Sequence, residues 1–440
     1  MRNEKYKTGQ PARRWARWPA QFPVSRFSFL ILHFALFPAC HAATGAEEPT
    51  NQPATTRPKV VVGDEARRIH RGAMVIDGHN DLPWRLRSEA GGSLDKIDLA
   101  GSVPQFDTDI PRLRAGGVGG VFWSVFVPAE TDKTGTALRD TLEQIDLVQR
   151  MVARHAEVFE LAVTADDVER IHAAGKIASL IGVEGGHSIQ ESIGALRQLR
   201  KLGARYMTLT HSDTLSWADS ATDEPRHGGL TAFGDEVVRE MNRLGMLVDI
   251  SHVSPDTMRD ALRVSRAPVI ASHSSAFAVA PHPRNVPDDV LKLIKANDGV
   301  VMVNFFSGFI HPESARARAD MFAVRREFRA QYPDESEFQE AVKRWDVQHP
   351  IVPGSVHTVV DHIDHIVRIA GIDHVGLGSD FDGVSMLPEQ LEDVSCYPVI
   401  TQELLNRGYD EEQIGKILGR NMLRALRQAE VAARMLERVP

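Results

Sequence analysis

Short apolar runs alternate with longer helical patterns along most of this chain, and this alternation limits the fold more than any other feature. Helical patterns cover residues 136–155, 189–202, 231–244, 255–265 and 286–296. Runs without polar alternation are typical of parallel strands that are buried on both faces. Eight of them follow one another from residue 73: AMVID, VGGVFWSVFV, IASLIGVE, RYMTLTH, GMLVDISH, PVIASH, GVVMVNF and HVGLGSD.

Eight strand and helix units predict an α/β protein with a closed (β/α)₈ TIM barrel. An open, doubly wound sheet is the alternative, since the same alternation of strands and helices builds it. A polar helical stretch at residues 312–345 follows the seventh predicted strand and predicts a helical insertion, either as a lid or as a solvated outer layer. One domain accommodates the 440 residues because barrels with insertions reach this size.

The beginning of the chain has a different composition from the rest. Seven basic residues and one acidic residue lie in the first 45 positions, where the apolar run FSFLILHFALFPA is followed by small residues. This order predicts a signal peptide at residues 1–42, a polar linker at 43–60 and a barrel domain at 61–440. The predicted location is therefore periplasmic or secreted. An uncleaved N-terminal anchor and a lipid on Cys40 are the alternatives, and they would be the chain's contact with a membrane.

Charge and cysteine content exclude two classes of protein. The formal net charge is −8, and without its basic first 45 residues the chain carries −14, which argues against a nucleic-acid partner. The two cysteines are Cys40 and Cys396, and the first lies in the predicted signal. A disulfide framework is therefore not expected, and stability must come from the core.

Ionisable side chains stand where the predicted strands end. Because active sites lie at the carboxyl ends of barrel strands, side chains at these positions converge on one mouth. Any one of the 18 histidines could be structural, but four histidines and three carboxylates at the ends of six strands indicate a common site. They are His79, Asp81, Glu184, His211, His252, His273 and Asp380.

Imidazole and carboxylate groups predict a metal centre. Both are zinc ligands, and catalytic zinc sites keep one position open for water. His79 and Asp81 are two residues apart, so on a continuing strand both side chains can hold one ion. Glu184 can bridge two ions, and His252 with His273 can complete the second. Two ions about 3.5–4 Å apart would share a hydroxide and polarise a carbonyl together, although other divalent metals also bind such ligands.

Seven segments carry a resemblance to a known family. They run from Asp77 to Gly383 and read DGHNDLPW, GVEGGH, LTHSDTLSWAD, VDISHVS, ASHSS, HPRNVPD and GSDFDG. In these segments the chain resembles the membrane dipeptidase (renal dipeptidase) family, a branch of the amidohydrolase superfamily. The resemblance implies a barrel enzyme with two Zn²⁺ ions that hydrolyses the peptide bond of dipeptides by a metal-bridging hydroxide.

The same resemblance implies a role for each site residue. His211 would contact the substrate and stabilise the oxyanion. Arg284 would bind the substrate carboxylate, and Asp380 would contact the substrate as the catalytic acid and base. Five residues would hold the ions, with Glu184 bridging them: His79, Asp81, Glu184, His252 and His273.

Other functions stay open at this point. A barrel of this family could act as a maturation or binding protein on a specialised substrate without peptidase activity. It could also hydrolyse a cyclic amide such as a β-lactam, since the same attack on a carbonyl serves both reactions. Homodimer formation is a further expectation that no residue pattern decides.

Overall fold

A parallel sheet forms the centre of the computed structural model, which describes residues 57–437. Its strands are the predicted apolar runs together with one short additional strand. The strands are β1 (Val75–Asn80), β2 (Val118–Phe126), β3 (Phe159–Leu161), β4 (Ile177–Glu184), β5 (Ala204–Thr208), β6 (Leu247–Asp249), β7 (Val269–Ala271), β8 (Val300–Val303) and β9 (Val375–Leu377).

Pairing between β2 and β4 closes the sheet into a barrel. The strand order is β2-β1-β9-β8-β7-β6-β5-β4, and β2 also pairs with β4 from Gly120 opposite Ala178 to Phe126 opposite Glu184. The predicted (β/α)₈ barrel is therefore confirmed, and the open-sheet alternative is wrong. Strand β3 was not predicted; it pairs with the first residues of β4, and its three residues are too few to show a pattern.

Helices follow the strands and cover the barrel. They are Asp64–Gly72, Leu82–Ala90, Ile110–Ala115, Glu130–Thr134, Ala137–Arg154, Ala165–Ala173, Ile193–Lys201, Ala232–Leu244, Pro255–Val264, Asp288–Ala296, Ser307–Ile310, Pro312–Ala317, Met321–Gln331, Glu335–Gln348, Val356–Ile369, Tyr397–Asn406, Glu411–Gly415 and Asn421–Leu436. Short 3₁₀ turns lie at Gly186–Ile189, Ile372–His374 and Val394–Cys396, and a π-helical turn at Lys416–Arg420 joins the last two helices.

Local capping explains where the predicted helices begin. Pro255 opens its helix after Ser254, whose side chain accepts a hydrogen bond from the backbone N–H of Thr257. The helix expected from residue 189 begins at Ile193 instead, because Ser192 caps it by accepting from the N–H of Ala195. The 3₁₀ turn Gly186–Ile189 precedes this helix and overlaps the expected one only at Ile189.

Alternate strand residues enter two apolar clusters. In β2, Val121 and Trp123 belong to the larger cluster, whereas Phe122 belongs to the smaller one. The smaller cluster also contains Met422 and Leu426 of the last helix, so that helix covers the interior at one end. The polar site lies at the carboxyl ends of the strands.

The helical insertion is also confirmed, and it forms one wall of the site. Its helices lie between β8 and the helix Val356–Ile369. Met321 and Phe322 line the same cavity as Glu184. Arg326 fixes the insertion to the loop after β5, since it donates to the backbone oxygen of Thr222 at 2.6 Å.

The predicted signal peptide lies outside the described residues, and so does most of the predicted linker. Within residues 57–437, none of the helices has both the length and the apolar character needed to cross a bilayer. Cys396 carries a free thiol in this part of the chain.

Candidate active site

The predicted site residues lie at the carboxyl ends of their strands and meet in one cluster. His79 belongs to β1 and Glu184 is the last residue of β4. The other five follow the ends of strands by one to three residues: Asp81, His211, His252, His273 and Asp380. All seven are buried except His211, whose side chain is 17% exposed.

The carboxylate of Glu184 lies at the centre of this cluster. Its Oε2 accepts a hydrogen bond from the Ser124 hydroxyl at 3.2 Å. Four imidazole Nε2 atoms surround its Oε1, at 3.1 Å for His252, 3.5 Å for His273, 3.6 Å for His79 and 3.8 Å for His211. Four imidazoles around one carboxylate oxygen form a donor set in which nitrogen and oxygen ligands face a common centre.

The two predicted ligand pairs are each within reach of one ion. His79 Nε2 lies 3.3 Å from Asp81 Oδ2, and His252 Nε2 lies 3.0 Å from His273 Nε2. Asp380 also brings a carboxylate oxygen close to the first pair, and His211 brings a nitrogen close to Glu184 and His252. The geometry therefore places these two within reach of an ion, although sequence reasoning assigned them to substrate and proton transfer.

Hydrogen bonds behind the cluster orient His79. Its Nδ1 lies 2.9 Å from the hydroxyl of Tyr206, and that hydroxyl donates its own proton to the backbone oxygen of Gly78 at 3.2 Å. Because a phenol has one proton, the hydroxyl must accept from His79 Nδ1–H. The Nε2 lone pair is thus directed into the cluster, where Nε2 is buried without a hydrogen-bond partner in the described residues.

His273 is oriented in the same way from a different strand. Its Nδ1 lies 2.8 Å from the Ser272 hydroxyl, which donates to Asp249 Oδ2 at 2.7 Å. Asp249 also accepts from the Thr208 hydroxyl at 2.5 Å and from the backbone N–H of Ser251 at 3.0 Å. A histidine that donates one ring nitrogen to a fixed acceptor presents the other as a ligand, as in metal sites. The donor set and its supports therefore fit divalent cations.

Electrostatics in the cluster also favour cations. Burial lowers the pKa of His252 and His273 well below the usual value, so both imidazoles are neutral, as ligation requires. Burial also lowers the pKa of His79, but Tyr206 and the carboxylates of Glu184 and Asp81 raise it well above the ordinary value. These groups therefore stabilise a positive charge, such as that of a cation, next to His79 Nε2.

Asp380 is a buried carboxyl that accepts a hydrogen bond from the residue directly after β8. Its Oδ2 accepts from the Asn304 side-chain amide at 2.7 Å. Burial raises the pKa of Asp380 to about 7, with Asp81 and Glu184 adding to the effect and His79 opposing it. A carboxyl with this pKa can release and take up a proton near neutral pH.

Arg284 is buried next to the cluster. Its side chain donates to the Ser274 hydroxyl at 3.2 Å and to the backbone oxygen of His273 at 3.4 Å. The guanidinium also lies over the ring of Phe309, 5.4 Å from its centroid. No carboxylate forms an ion pair with it within residues 57–437, and burial lowers its pKa to about 10. A buried guanidinium of this kind can bind a carboxylate from a ligand.

Left-handed backbone conformations occur at site residues. His252 and Asp380 both have a φ of 66°, and Asp382 has a φ of 65°. Such conformations are strained for residues other than glycine and cluster at functional sites. Gly383 follows in the same loop, and a Cβ there would lie 2.2 Å from Asp81 Oδ2, so the close approach of this loop requires glycine.

Asp382 supports the loop rather than the reacting atoms. Its Oδ1 accepts from the backbone N–H of Asp107 at 2.9 Å, and its own N–H donates to Asp107 Oδ2 at 2.8 Å. This reciprocal pair of hydrogen bonds fixes the loop after β9.

A cavity of about 500 Å³ opens over the cluster. Its inner wall includes Glu184, His211, His252, Arg284 and Asp380. The insertion supplies part of the outer wall. This volume is in the range of pockets that enclose small ligands.

Sequence reasoning missed several supporting residues. Tyr206, Asp249, Ser272 and Asn304 were not identified as parts of the site. A signal was present, because each is a polar residue within or directly after an apolar strand run. Such residues need hydrogen-bond partners when buried, and here the partners are site residues or their neighbours.

A closed (β/α)₈ barrel with imidazoles and carboxylates at the carboxyl ends of its strands is the architecture of a metal-dependent hydrolase. The family model of the membrane dipeptidases (peptidase family M19) matches residues 63–439. The chain therefore belongs to the membrane dipeptidase family, and it is an enzyme, a metallodipeptidase by class.

Solved structures agree with this assignment. The probable dipeptidase PvdM from Pseudomonas aeruginosa is similar at 25% identity and a TM-score of 0.72, over 84% of this chain and 98% of that one. A metallo peptidase from Rhodobacter sphaeroides, liganded with a phosphinate mimic of the dipeptide L-Ala-D-Ala, is 27% identical with a TM-score of 0.66, over 81% of this chain and 99% of that one. The dipeptidase AC, of the same family, gives the same identity and TM-score, over 81% and 98%.

Proposed function

We propose that this protein is a zinc-dependent dipeptidase that cleaves the single peptide bond of a dipeptide. The observation that carries the proposal is the position of Arg284. It is a buried cation without an acidic partner in the described residues, and it lines the same cavity as the ligand cluster. A substrate that ends one residue beyond the scissile bond can bring its carboxylate to this guanidinium.

The ligand cluster would hold two zinc ions. We assign His79 and Asp81 to one ion and His252 and His273 to the other, with Glu184 between them. When bound, such ions supply an activated water and polarise the scissile carbonyl. Tyr206 keeps His79, and Ser272 keeps His273, in the orientation that metal binding needs.

His211 would stabilise the negative charge that develops on the carbonyl oxygen. Its ring stacks on His252 with centroids 4.3 Å apart, which fixes its orientation at the cavity wall. Its Nε2 lies 3.8 Å from Glu184 Oε1, too far for a hydrogen bond, so this nitrogen can face the substrate. A fixed donor aimed at the oxyanion lowers the barrier to attack.

Asp380 would hold and move the proton. Asn304 occupies its Oδ2, so Oδ1 is free to accept a proton from the attacking water. The same carboxyl can then protonate the leaving amine as the C–N bond breaks. A single carboxyl that accepts a proton and then returns it can serve both steps.

The dimensions of the site and one relative support the choice of substrate. The cavity has a volume of about 500 Å³, which suits a small ligand, and the insertion lines part of its wall. The Rhodobacter sphaeroides relative was solved with a dipeptide mimic.

Export of the protein is part of the proposal. The basic start, apolar run and small residues at the beginning of the sequence support a signal peptide with cleavage after Ala42. The enzyme would then act in the periplasm or outside the cell.

A panel of substrates tests the proposed reaction. The purified zinc form should hydrolyse unmodified dipeptides, and it should leave tripeptides and C-terminal dipeptide amides nearly untouched. Equal rates on acids and amides would contradict a site that binds the terminal carboxylate. Hydrolysis of a β-lactam but no dipeptide, or of neither, would replace the proposal with one of the alternative functions.

A further inference from the structure

The outer end of the cavity contains cations that the reaction does not use. Arg85, Arg318 and Arg325 all line it, the last two from the insertion. Arg85 and Arg318 have acidic partners. Arg85 contacts Glu89 at 2.7 Å, and Arg318 contacts Asp346 at 2.5 Å. Arg325 has none within 4 Å in the described part of the chain.

The helix Met321–Gln331 contains arginines with an acidic partner and, in the described residues, one without. It carries three arginines, and two of them have partners. Arg326 contacts Asp223 at 3.3 Å, and Arg329 contacts Glu335 at 2.9 Å. Arg325 is directed to the cavity instead, where Met321 and Phe322 of the same helix provide apolar surface beside it.

Neighbouring charges make the position of Arg325 receptive to an anion. The Arg325 side chain stays partly exposed to solvent. Desolvation by the surrounding protein lowers the pKa of its guanidinium, Asp346 opposes this effect, and Arg318 and Arg329 lower the pKa further. A guanidinium among other cations gains from a carboxylate ligand, which it can bind with two parallel hydrogen bonds.

We propose that Arg325 recognises a carboxylate on the side chain of the substrate, so that the enzyme prefers dipeptides containing glutamate or aspartate. The inference rests on the proposed dipeptidase function. Arg284 takes the terminal carboxylate at the inner end of the cavity, and Arg325 takes a second one at the outer end. The methylene groups of the acidic side chain would pack against Met321 and Phe322.

Isosteric substrates measure this preference directly. For the wild type, kcat/KM is compared for Ala-Glu with Ala-Gln and for Glu-Ala with Gln-Ala. In at least one pair we expect the acidic dipeptide to be favoured about tenfold, the scale of one charge-assisted contact. Arg325→Met should abolish the preference, and Arg325→Lys should keep part of it because the charge remains.

Arg344→Met is the matched control. Like Arg325, Arg344 is an exposed arginine of the insertion, on the helix Glu335–Gln348, but it does not line the cavity. This variant should keep the wild-type ratio of acidic to neutral substrates. A ratio near one in the wild type, or a ratio that Arg325→Met leaves unchanged, would overturn the inference.

A binding measurement separates this inference from the proposed function. If neutral dipeptides are hydrolysed but acidic ones are not favoured, the dipeptidase function stands and the role of Arg325 fails. If no dipeptide is hydrolysed, the function fails, and calorimetric binding of Ala-Glu and Ala-Gln decides the role of Arg325. Tighter binding of Ala-Glu that disappears in Arg325→Met would still support the carboxylate site, and equal binding would refute it.

Discussion

Tyr206 should control metal affinity although it is not a ligand. Its hydroxyl accepts from His79 Nδ1 at 2.9 Å and donates to the Gly78 oxygen at 3.2 Å, inside the barrel. Tyr206→Phe removes this hydroxyl and keeps the ring, which packs against Phe122 with centroids 5.0 Å apart. The perturbation therefore acts on the orientation and tautomer of His79 with little change in core volume.

The expected magnitudes follow from the lost hydrogen bonds. A buried donor left without a partner costs about 1–3 kcal/mol, so the free energy of unfolding should fall by about this amount. Loss of a group that orients a metal-binding histidine lowers metal affinity by about 10–100-fold. Because His79 can then place a proton on either nitrogen, ligation through Nε2 is no longer favoured.

Competition with a chromophoric chelator measures zinc affinity, and urea unfolding of the metal-free protein measures stability. Tyr409→Phe is the control, because it removes a hydroxyl that donates to Asp364 Oδ1 at 2.8 Å on the outside of the barrel. It should lose some stability and keep wild-type zinc affinity. Wild-type zinc affinity in a folded Tyr206→Phe protein would show that this hydroxyl does not set the tautomer of His79.

Four further outcomes are expected. Glu184→Gln keeps the side-chain volume but removes the central charge, so zinc content by elemental analysis and turnover should fall together; two tightly bound ions and normal rates would contradict the bridging role. Arg284→Lys should raise KM for dipeptides despite its retained charge, because an ammonium lacks the two-pronged geometry of a guanidinium; an unchanged KM would count against carboxylate binding. Asp380→Asn should keep both ions and bind dipeptide while kcat falls about 10²–10⁴-fold; lost metal would make it a ligand, and normal turnover would remove its catalytic role. Burial lowers the pKa of His362 to about 4 from 6.5, so the unfolded state binds a proton on this histidine first as pH falls. The contribution of His362 to the free energy of unfolding, measured in urea, should be fully present above about pH 6.5 and should fall by up to about 3 kcal/mol toward pH 4. His362→Gln should remove this contribution to the pH dependence of stability.

The barrel and the ligand cluster could be predicted because both depend on local patterns. Apolar runs identify strands buried on both faces, and a polar residue directly after such a run is placed at the mouth by the topology. His79 and Glu184 are of this kind. Strand β3 could not be predicted because its three residues are too few to show a pattern. Its pairing with β4 depends on the tertiary structure and not on the local sequence.

The supporting residues could not be assigned because their roles depend on other strands. Tyr206 reaches from β5 to His79 on β1, and Asp249 of β6 receives Ser272, which follows β7. Neither contact follows from spacing along the chain. The role of Arg325 could not be predicted either, because the amphipathic pattern of the insertion does not indicate what its helices face.

We infer that the histidine and carboxylate cluster binds two zinc ions that serve dipeptide hydrolysis. Titration of the metal-free protein with Zn²⁺, with the initial rate of dipeptide hydrolysis followed at each addition, tests it most directly. The rate should be near zero without metal and should reach its plateau at two equivalents per chain. Full activity of the metal-free protein, or no hydrolysis after two ions are bound, would contradict the claim.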